Sequence, residues 1–507
     1  MELELRQETV RHWETVCRTV LEQEETAEMI VPDACPDIWQ VLDGEGRLLL
    51  QRKEPQEGKA ECSGLLKVTI LYQPEGEGGV QSMEVTLPFS VSPEIAGMTR
   101  RSALHVSPRV LSVDIHLLNP RKVLVRVGYS LALEGFEPRV QSLASLVEDP
   151  ESCGIRQKTG TLGSLVTINA QEKSFTYQDV LALPAGRPDV AALLRTRADC
   201  TCLEARVIGT KLVFKGEAMV KLLCRGTDGS LFPVEFPLPY SQIMDAGEDA
   251  EDSLCHMTLA FTEVSCSLTE GDPRSFQASL TIQAQAVLRK QVEVPVLTDL
   301  YSTSYELQTE EVNCPVWKMM GQGEDQEGVR DVVETGQGPG ELLDVQVRLG
   351  RSGQNREGQD LILTQEVEMV LLYNTQEGPA SASRRVTVSH RLPGQGEGTC
   401  LFTSEVLRAP SAASTGSGME VSFPLAFRWM TLRKGETGII GRVTPGEKRA
   451  VTQEEPSVIL RAVRPGEDLW DVAKACLSTD GEIMEASGLT SGELYLGQML
   501  LIPRKVR

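Results

Sequence analysis

The chain is poor in the groupings that carry most protein chemistry. Its 507 residues include five histidines, and none stands in an HExxH or similar metal-binding spacing. No Gly-x-Ser-x-Gly elbow falls between a strand-like and a helix-like stretch. The glycine-rich runs Gly336 to Gly340 and Gly394 to Gly398 lack the Lys-Ser/Thr of a phosphate loop, and Glu397 would repel a phosphate. The twelve cysteines are scattered from Cys17 to Cys476 without a CxxC pair. Cys200-x-Cys202 is the one close couple, too few ligands for a metal site. No apolar run approaches the ~18 residues of a membrane span. The opening MELELRQETVRHWE lacks the basic-then-apolar order of a signal peptide. These absences predict no catalytic residues, no metal, no cofactor and no membrane insertion, and thiols held reduced inside a cell.

Positive charge is also scarce. Fifty Lys and Arg stand against 72 Asp and Glu, a formal charge of -22 that disfavours nucleic acid and anionic membrane. From Ser457 onward six Lys/Arg face seven Asp/Glu, which leaves -21 on the preceding 456 residues. The acidic run Asp245 to Asp252 lacks the spacing of a calcium loop and reads as a solvated loop. Arg100-Arg101 reads as a surface turn, and His116 and His390 as ordinary imidazoles of strand-like stretches.

What the chain does have is repetition. Pro32, Pro36 and Asp37 recur 152 positions on as Pro184, Pro188 and Asp189, and Gly64-x3-Val68-x2-Leu71 recurs as Gly216-x3-Val220-x2-Leu223. Leu87-Pro88-Phe89-Ser90 recurs at offset 151 as Leu238-Pro239-Tyr240-Ser241, and Asn119-Pro120-Arg121 at 153 as Asp272-Pro273-Arg274. Offsets stable to one residue indicate a tandem duplication. A fainter third copy maps Leu71-Tyr72 onto Leu372-Tyr373, and Leu87 to Phe89 onto Val388 to His390, both at offset 301. Its Pro-Asp segment is replaced by Gly321 to Gly340, read as a remodelled or looped-out start.

Each copy alternates apolar and polar residues over several short runs, such as Leu65 to Tyr72, Ser82 to Val91, Val110 to Leu118 and Val123 to Leu133. Turn signals separate them, which predicts small antiparallel sheets or sandwiches joined as an elongated acidic body. The Pro-Asp segments are expected to open short helices, with Trp39, Val41 and Leu42 following Asp37. Residues 1–30 fit a helix face through Val10, Trp13, Cys17, Val20 and Leu21, while their Thr and Val content also allows a strand. Boundaries are expected at Glu148 to Gly163, Leu300 to Gln308 and Thr444 to Pro456, with a flexible loop at Ser411 to Gly418. The division is therefore 1–150, 160–305 and 306–445 for the repeats, 446–456 for a linker and 457–507 for a tail module.

The tail reads as strand, helix, helix, strand. Val458 to Val463 is β-like, Asp468 can cap a helix burying Leu469, Val472, Ala473 and Cys476, and Thr479 with Glu482 forms a capping box. Gly488 is the stop, and Leu494 to Ile502 returns as a strand ended by Pro503. Trp470 belongs either to the module core or to a sugar-stacking surface. With Pro465-Gly466, Leu469-Trp470, Ala473-Lys474, Ile483, Leu489 and Leu496-Gly497-Gln498 to Leu501-Ile502-Pro503, the stretch resembles a LysM domain.

LysM modules bind N-acetylglucosamine polymers through two loops, which here are Pro465, Gly466, Glu467, Asp468 and Leu469, and Ser487, Gly488 and Leu489. Glu467-Asp468 replaces the usual Asp-Thr, and Ser487 the usual Asn, so a protein contact is at least as well suited to them as a glycan. Three β-rich repeats bearing the Pro-x3-Pro-Asp and Gly-x3-Val-x2-Leu motifs resemble SPOCS domains. Repeats first and one LysM last is similar to the SipL-like family of clostridial spore-coat morphogenetic proteins. That resemblance implies a non-enzymatic scaffold of the mother-cell cytoplasm, acting at the forespore surface. Its implied partners are the SpoIVA-like ATPase of the coat's basement layer, through the LysM module, and other coat proteins. The alternative is a peptidoglycan-binding LysM protein of the cell wall or spore cortex.

Overall fold

A computed structural model describes residues 3–76, 79–335, 340–376, 378–416, 418–449 and 456–503. Most of it is antiparallel β-structure. The first repeat runs β1 (Leu5–Ile30), β2 (Ile38–Gln56), β3 (Lys59–Pro74), β4 (Gln81–Val91), β5 (Ala103–Asn119) and β6 (Lys122–Val147). The second runs β7 (Ile155–Ala182), β8 (Val190–Ile208), β9 (Lys211–Gly226), β10 (Leu231–Asp245), β11 (Leu254–Thr269) and β12 (Asp272–Ser302). The third runs β13 (Tyr305–Glu334), β14 (Leu342–Glu357), β15 (Asp360–Thr375), β16 (Gly378–Leu392), β17 (Thr399–Val406), β18 (Ser411–Ser414) and β19 (Gly418–Lys448). The tail adds β20 (Val458–Ala462), α1 (Leu469–Cys476), α2 (Asp480–Ser487) and β21 (Met499–Pro503).

One plan serves all three repeats. A three-stranded meander (β2-β3-β4, β8-β9-β10 or β14-β15-β16) packs on a long ribbon in which the repeat's first strand pairs with its last: β1 with β6, β7 with β12, β13 with β19. Along β3 and β4 the residues alternate buried and open, so Leu66, Val68, Ile70 and Tyr72 meet Val123, Val125, Val127 and Tyr129 of β6 in one dry layer. Pro88 is tolerated because β4 is an edge strand with no ladder bond to lose on its outer side. Equivalent cores form around Phe214 and Phe276 in the second repeat and around Val421 and Phe427 in the third.

The repeated sequence motifs now have a physical cause. Arg121 sends Nη1 to the Cys35 carbonyl at 2.7 Å and to Asp37 Oδ1 at 3.1 Å, and Nη2 to the Val31 carbonyl at 2.9 Å. Arg274 does the same to Arg187 O, Asp189 Oδ1 and Pro184 O. The guanidinium fork thus clips each Pro-x3-Pro-Asp segment to the hairpin turn that carries the arginine. Gly64 and Gly216 occupy positions where a Cβ would lie 2.2 Å from Leu49 O and 2.0 Å from Thr201 O, with the ring of Phe89 or Tyr240 on the other side.

Several expectations are corrected. The Pro-Asp segments open strands, not helices, because Ile38 donates its amide to Pro120 O and Asp37 O accepts from Glu75, leaving no groups for a helical turn. Residues 5–30 are strand throughout, their partner β6 deciding what periodicity left open. Gly321 to Glu334 is not looped out but is the second half of β13, paired with β19 (residues 336–339 lie outside the described residues). Ser411–Ser414 pairs with β19 as β18, β7 begins at Ile155, and β12 and β13 are separated only by Thr303 and Ser304. In the tail linker, β19 extends to Lys448, and residues 450–455 lie outside the described residues. In the third repeat Gln365 stands opposite Val388, where Gly64 stands opposite Phe89, so Val388 and not His390 is the counterpart of Phe89. The β15–β16 connection is two residues shorter: Tyr373 pairs with Ala380 where Tyr72 pairs with Gln81.

The repeats do not follow one another in a row. Leu42, Leu194 and Leu343, at equivalent positions, pack together with Leu71, Leu223 and Leu372, also equivalent, in a core to which every repeat contributes. Beside it Asp43, Arg195 and Asp344 are equivalent positions as well, and here the copies differ in charge. Arg195 reaches Asp43 at 2.7 Å and Glu45 at 3.2 Å and also pairs with Asp344, with its side chain only 4% exposed. Further out, Leu143, Leu162, Val294, Val316 and Ile439 from all three ribbons close a second shared core.

Candidate functional site

The LysM module is built as its sequence reads, except at one end. Asp468 accepts from Asp471 N at 2.8 Å and the Asp471 carboxylate accepts from Asp468 N at 3.1 Å, a reciprocal cap for α1. Leu469, Val472, Ala473 and Cys476 face inward with Ile483, Leu500 and Ile502. Thr479 caps α2, and Gly488 ends it in a left-handed conformation, φ 65°. The second strand is shorter than predicted: Leu494 to Gln498 forms a turn, and pairing with β20 starts at Met499.

The eight predicted loop residues divide by what already holds them. Pro465 and Gly466 are exposed in the turn before α1, with Gly466 at φ 80°. Glu467 is committed within the module, accepting from Arg461 Nη2 at 2.6 Å and from Arg464 N at 3.0 Å. Asp468 caps the helix and also pairs with Lys158 of the second repeat at 3.1 Å. Leu469 is core. At the second loop, Ser487 Oγ accepts from Leu501 N at 2.9 Å and donates to Leu501 O at 3.2 Å, tying α2 to β21. Gly488 is exposed, and Leu489 is half-buried against the module core.

Trp470 takes the first of the two places the sequence offered, half-buried against the module core, and reaches the body as well. It sits between module and body, its Nε1–H donating to Asp299 Oδ2 at 2.8 Å and its ring edge-on to Tyr301 at 5.0 Å. Lys474 donates to Asp299 Oδ1 at 2.6 Å, and Tyr301 donates to Ser478 O at 2.7 Å. No local signal in β12 marks Asp299 or Tyr301, because their role exists only once the tail folds back onto them.

Burial pushes the Cys62 thiol up to about 11, and the Cys224 and Cys400 thiols up to about 12, which keeps them protonated and poor nucleophiles at neutral pH. Burial lowers His105 to about 3. His390 lies between Glu327 at 2.8 Å and Asp325 at 3.2 Å and stacks on Phe427. Among the described residues no group of three or more His, Cys, Asp and Glu side chains is placed to hold a metal ion, and no helix is long and apolar enough to cross a membrane. A cavity of about 1010 Å³ opens where the three repeats meet, its walls carrying Arg47, Arg109, Arg197 and Arg348 together with Glu45 and Glu368.

Fold and site define a class: a mainly β chain of three sandwich repeats carrying a small C-terminal βααβ module. Comparison with known families agrees. Residues 37–118, which span β2 to β5, match the SipL, SPOCS domain family, and residues 462–503 match the LysM domain family. The chain thus carries a SipL-type SPOCS domain near one end and a LysM domain at the other. No curated protein and no solved structure matches it.

Proposed function

We propose that the chain is a non-enzymatic scaffold of spore-coat assembly, acting in the mother-cell cytoplasm at the forespore surface. Its three repeats, divided near residues 150 and 305, form the body that engages other coat proteins, and its LysM module binds the basement-layer ATPase. The single observation that carries this reading is the joint presence of a SipL-type SPOCS domain and a LysM domain in one chain.

The state of the module supports a protein partner over a glycan. Glu467 and Ser487, which replace the family's usual polar residues in the two loops, are spent on bonds within the module. The module also leaves large apolar side chains open: Tyr495 and Leu496 are 72% and 73% exposed and Met499 is 53% exposed. Open apolar side chains of this size favour a protein interface.

The test is a titration of the whole chain against the basement-layer ATPase and, in parallel, against chitin oligomers. Binding to the ATPase, lost on truncation after residue 449 and indifferent to chitin hexamer, is expected. Binding to chitin alone would replace this reading with the cell-wall one.

A further inference from the structure

The module touches the body through α1 and its two flanks, Asp468 before it and Ser478 after it. Lys158, Asp299 and Tyr301 form the receiving surface, and they are neighbours: Asp299 pairs with Lys158 and Tyr301 with Arg156 where β12 runs beside β7. Asp299 accepts from Trp470 on Oδ2 and from Lys474 on Oδ1, where the Leu300 N–H also donates. Tyr301 is 5% exposed and packs into the core of the module itself. Lys158 pairs with Asp468 and lies 6.0 Å from the centre of the Trp470 ring. Asp468 belongs to the first of the two loops by which a LysM module meets its ligand, so that loop's carboxylate and the neighbouring indole are engaged from within the chain.

The strength of this seat is intermediate. The two ion pairs are partly open to water, with Lys474 and Asp299 side chains 44% and 31% exposed and Lys158 and Asp468 47% and 54% exposed. Such pairs are screened and contribute modestly. The buried Tyr301–Trp470 contact adds an apolar anchor.

We propose that this contact is a latch: Asp299, Tyr301 and Lys158 hold the LysM module shut over its Asp468–Trp470 face, and a protein partner reaches that face only when the module swings off β7 and β12. The proposal rests on the reading of the module as protein-binding. A closed fraction lowers the apparent affinity in proportion, so loosening the latch tightens binding.

The experiment uses the full chain and the basement-layer ATPase. Zero-length carbodiimide coupling, read by mass spectrometry, joins Lys474 to Asp299 and Lys158 to Asp468 in the unbound chain, and saturating ATPase suppresses both products. Asp299→Ala tightens ATPase binding about tenfold. Tyr301→Phe, which keeps the ring and removes only the bond to Ser478, tightens it less and guards against misfolding of the first variant. Cross-links undiminished in the complex, or unchanged affinity in both variants with the wild-type chain binding, overturn the latch and leave the proposed function standing. Absence of ATPase binding by wild type and both variants overturns the proposed function and the latch with it, whereas binding by the variants alone supports both.

Discussion

At Arg121 one side chain explains why two stretches ninety residues apart both recur in the next repeat. Its fork needs the carbonyls of Val31 and Cys35 and the carboxylate of Asp37, and Arg274 needs the matching set. Replacing Arg121 with Ala leaves these acceptors without donors and is expected to cost about 1–3 kcal/mol. Lys at the same place should recover little, since one ammonium nitrogen cannot span the acceptors that Nη1 and Nη2 of the guanidinium reach separately. Urea unfolding of the two variants beside wild type checks this, and an Arg121→Lys chain as stable as wild type would refute the fork. The recurrence of Pro-x3-Pro-Asp and of Asn/Asp-Pro-Arg was legible in the sequence. That the two motifs bind each other was not, because nothing in linear spacing shows that β6 starts beside the end of β1.

At the scale of elements, the module's helices were legible because their caps and stops are local: Asp468, Thr479 and Gly488 act within one turn of themselves. The Pro-Asp segments misled for the opposite reason, since a strand partner consumes the backbone groups that a helix would use. The seat of α1 on β12 depends on Asp299. Burial would raise that carboxyl, but hydrogen bonds from Lys474 and Trp470 outweigh burial and hold it below the usual value near 3.8. Its contribution is therefore complete above that usual value and is lost as pH falls through the lowered one. Lys158, Arg156, Asp468 and Asp471 surround the seat, and Asp480, raised by burial and by Asp468, titrates earlier and in the opposing sense. The indole N–H resonance of Trp470 should hold its position from pH 7 to 5 and move towards its solvent-exposed value on further acidification. A resonance that stays fixed until the whole chain unfolds would sink this account.

Across the whole molecule, a hub of equivalent residues carrying unequal charges sets how the repeats meet. Leucine is common to all three at two hub positions, but Asp43, Arg195 and Asp344 are not interchangeable, so one cyclic arrangement satisfies the guanidinium. Burial would raise the Asp43 carboxyl, and Arg348 and Arg195 together outweigh it and hold it low. Arg195→Met takes the cation from Asp344 and one of the two cations from Asp43, which keeps Arg348, at an expected cost of about 3 kcal/mol. Equilibrium unfolding followed by circular dichroism should show the whole body destabilised, not the second repeat alone. A separate early transition confined to the second repeat would show that the hub does not couple the copies.

The sequence by itself determined the parts: three β-rich copies, their turns and edges, and a capped βααβ tail, because alternation, caps and breakers act between near neighbours. Extending the same offsets would also have singled out Leu42, Leu194 and Leu343. Only the tertiary structure decided that the copies close around one centre, that Gln365 fills the place of a glycine, and that Trp470 lies against Asp299. The shared centre and the Trp470 contact join residues more than a hundred positions apart, and their energy comes from burial and from paired charges that no local pattern encodes.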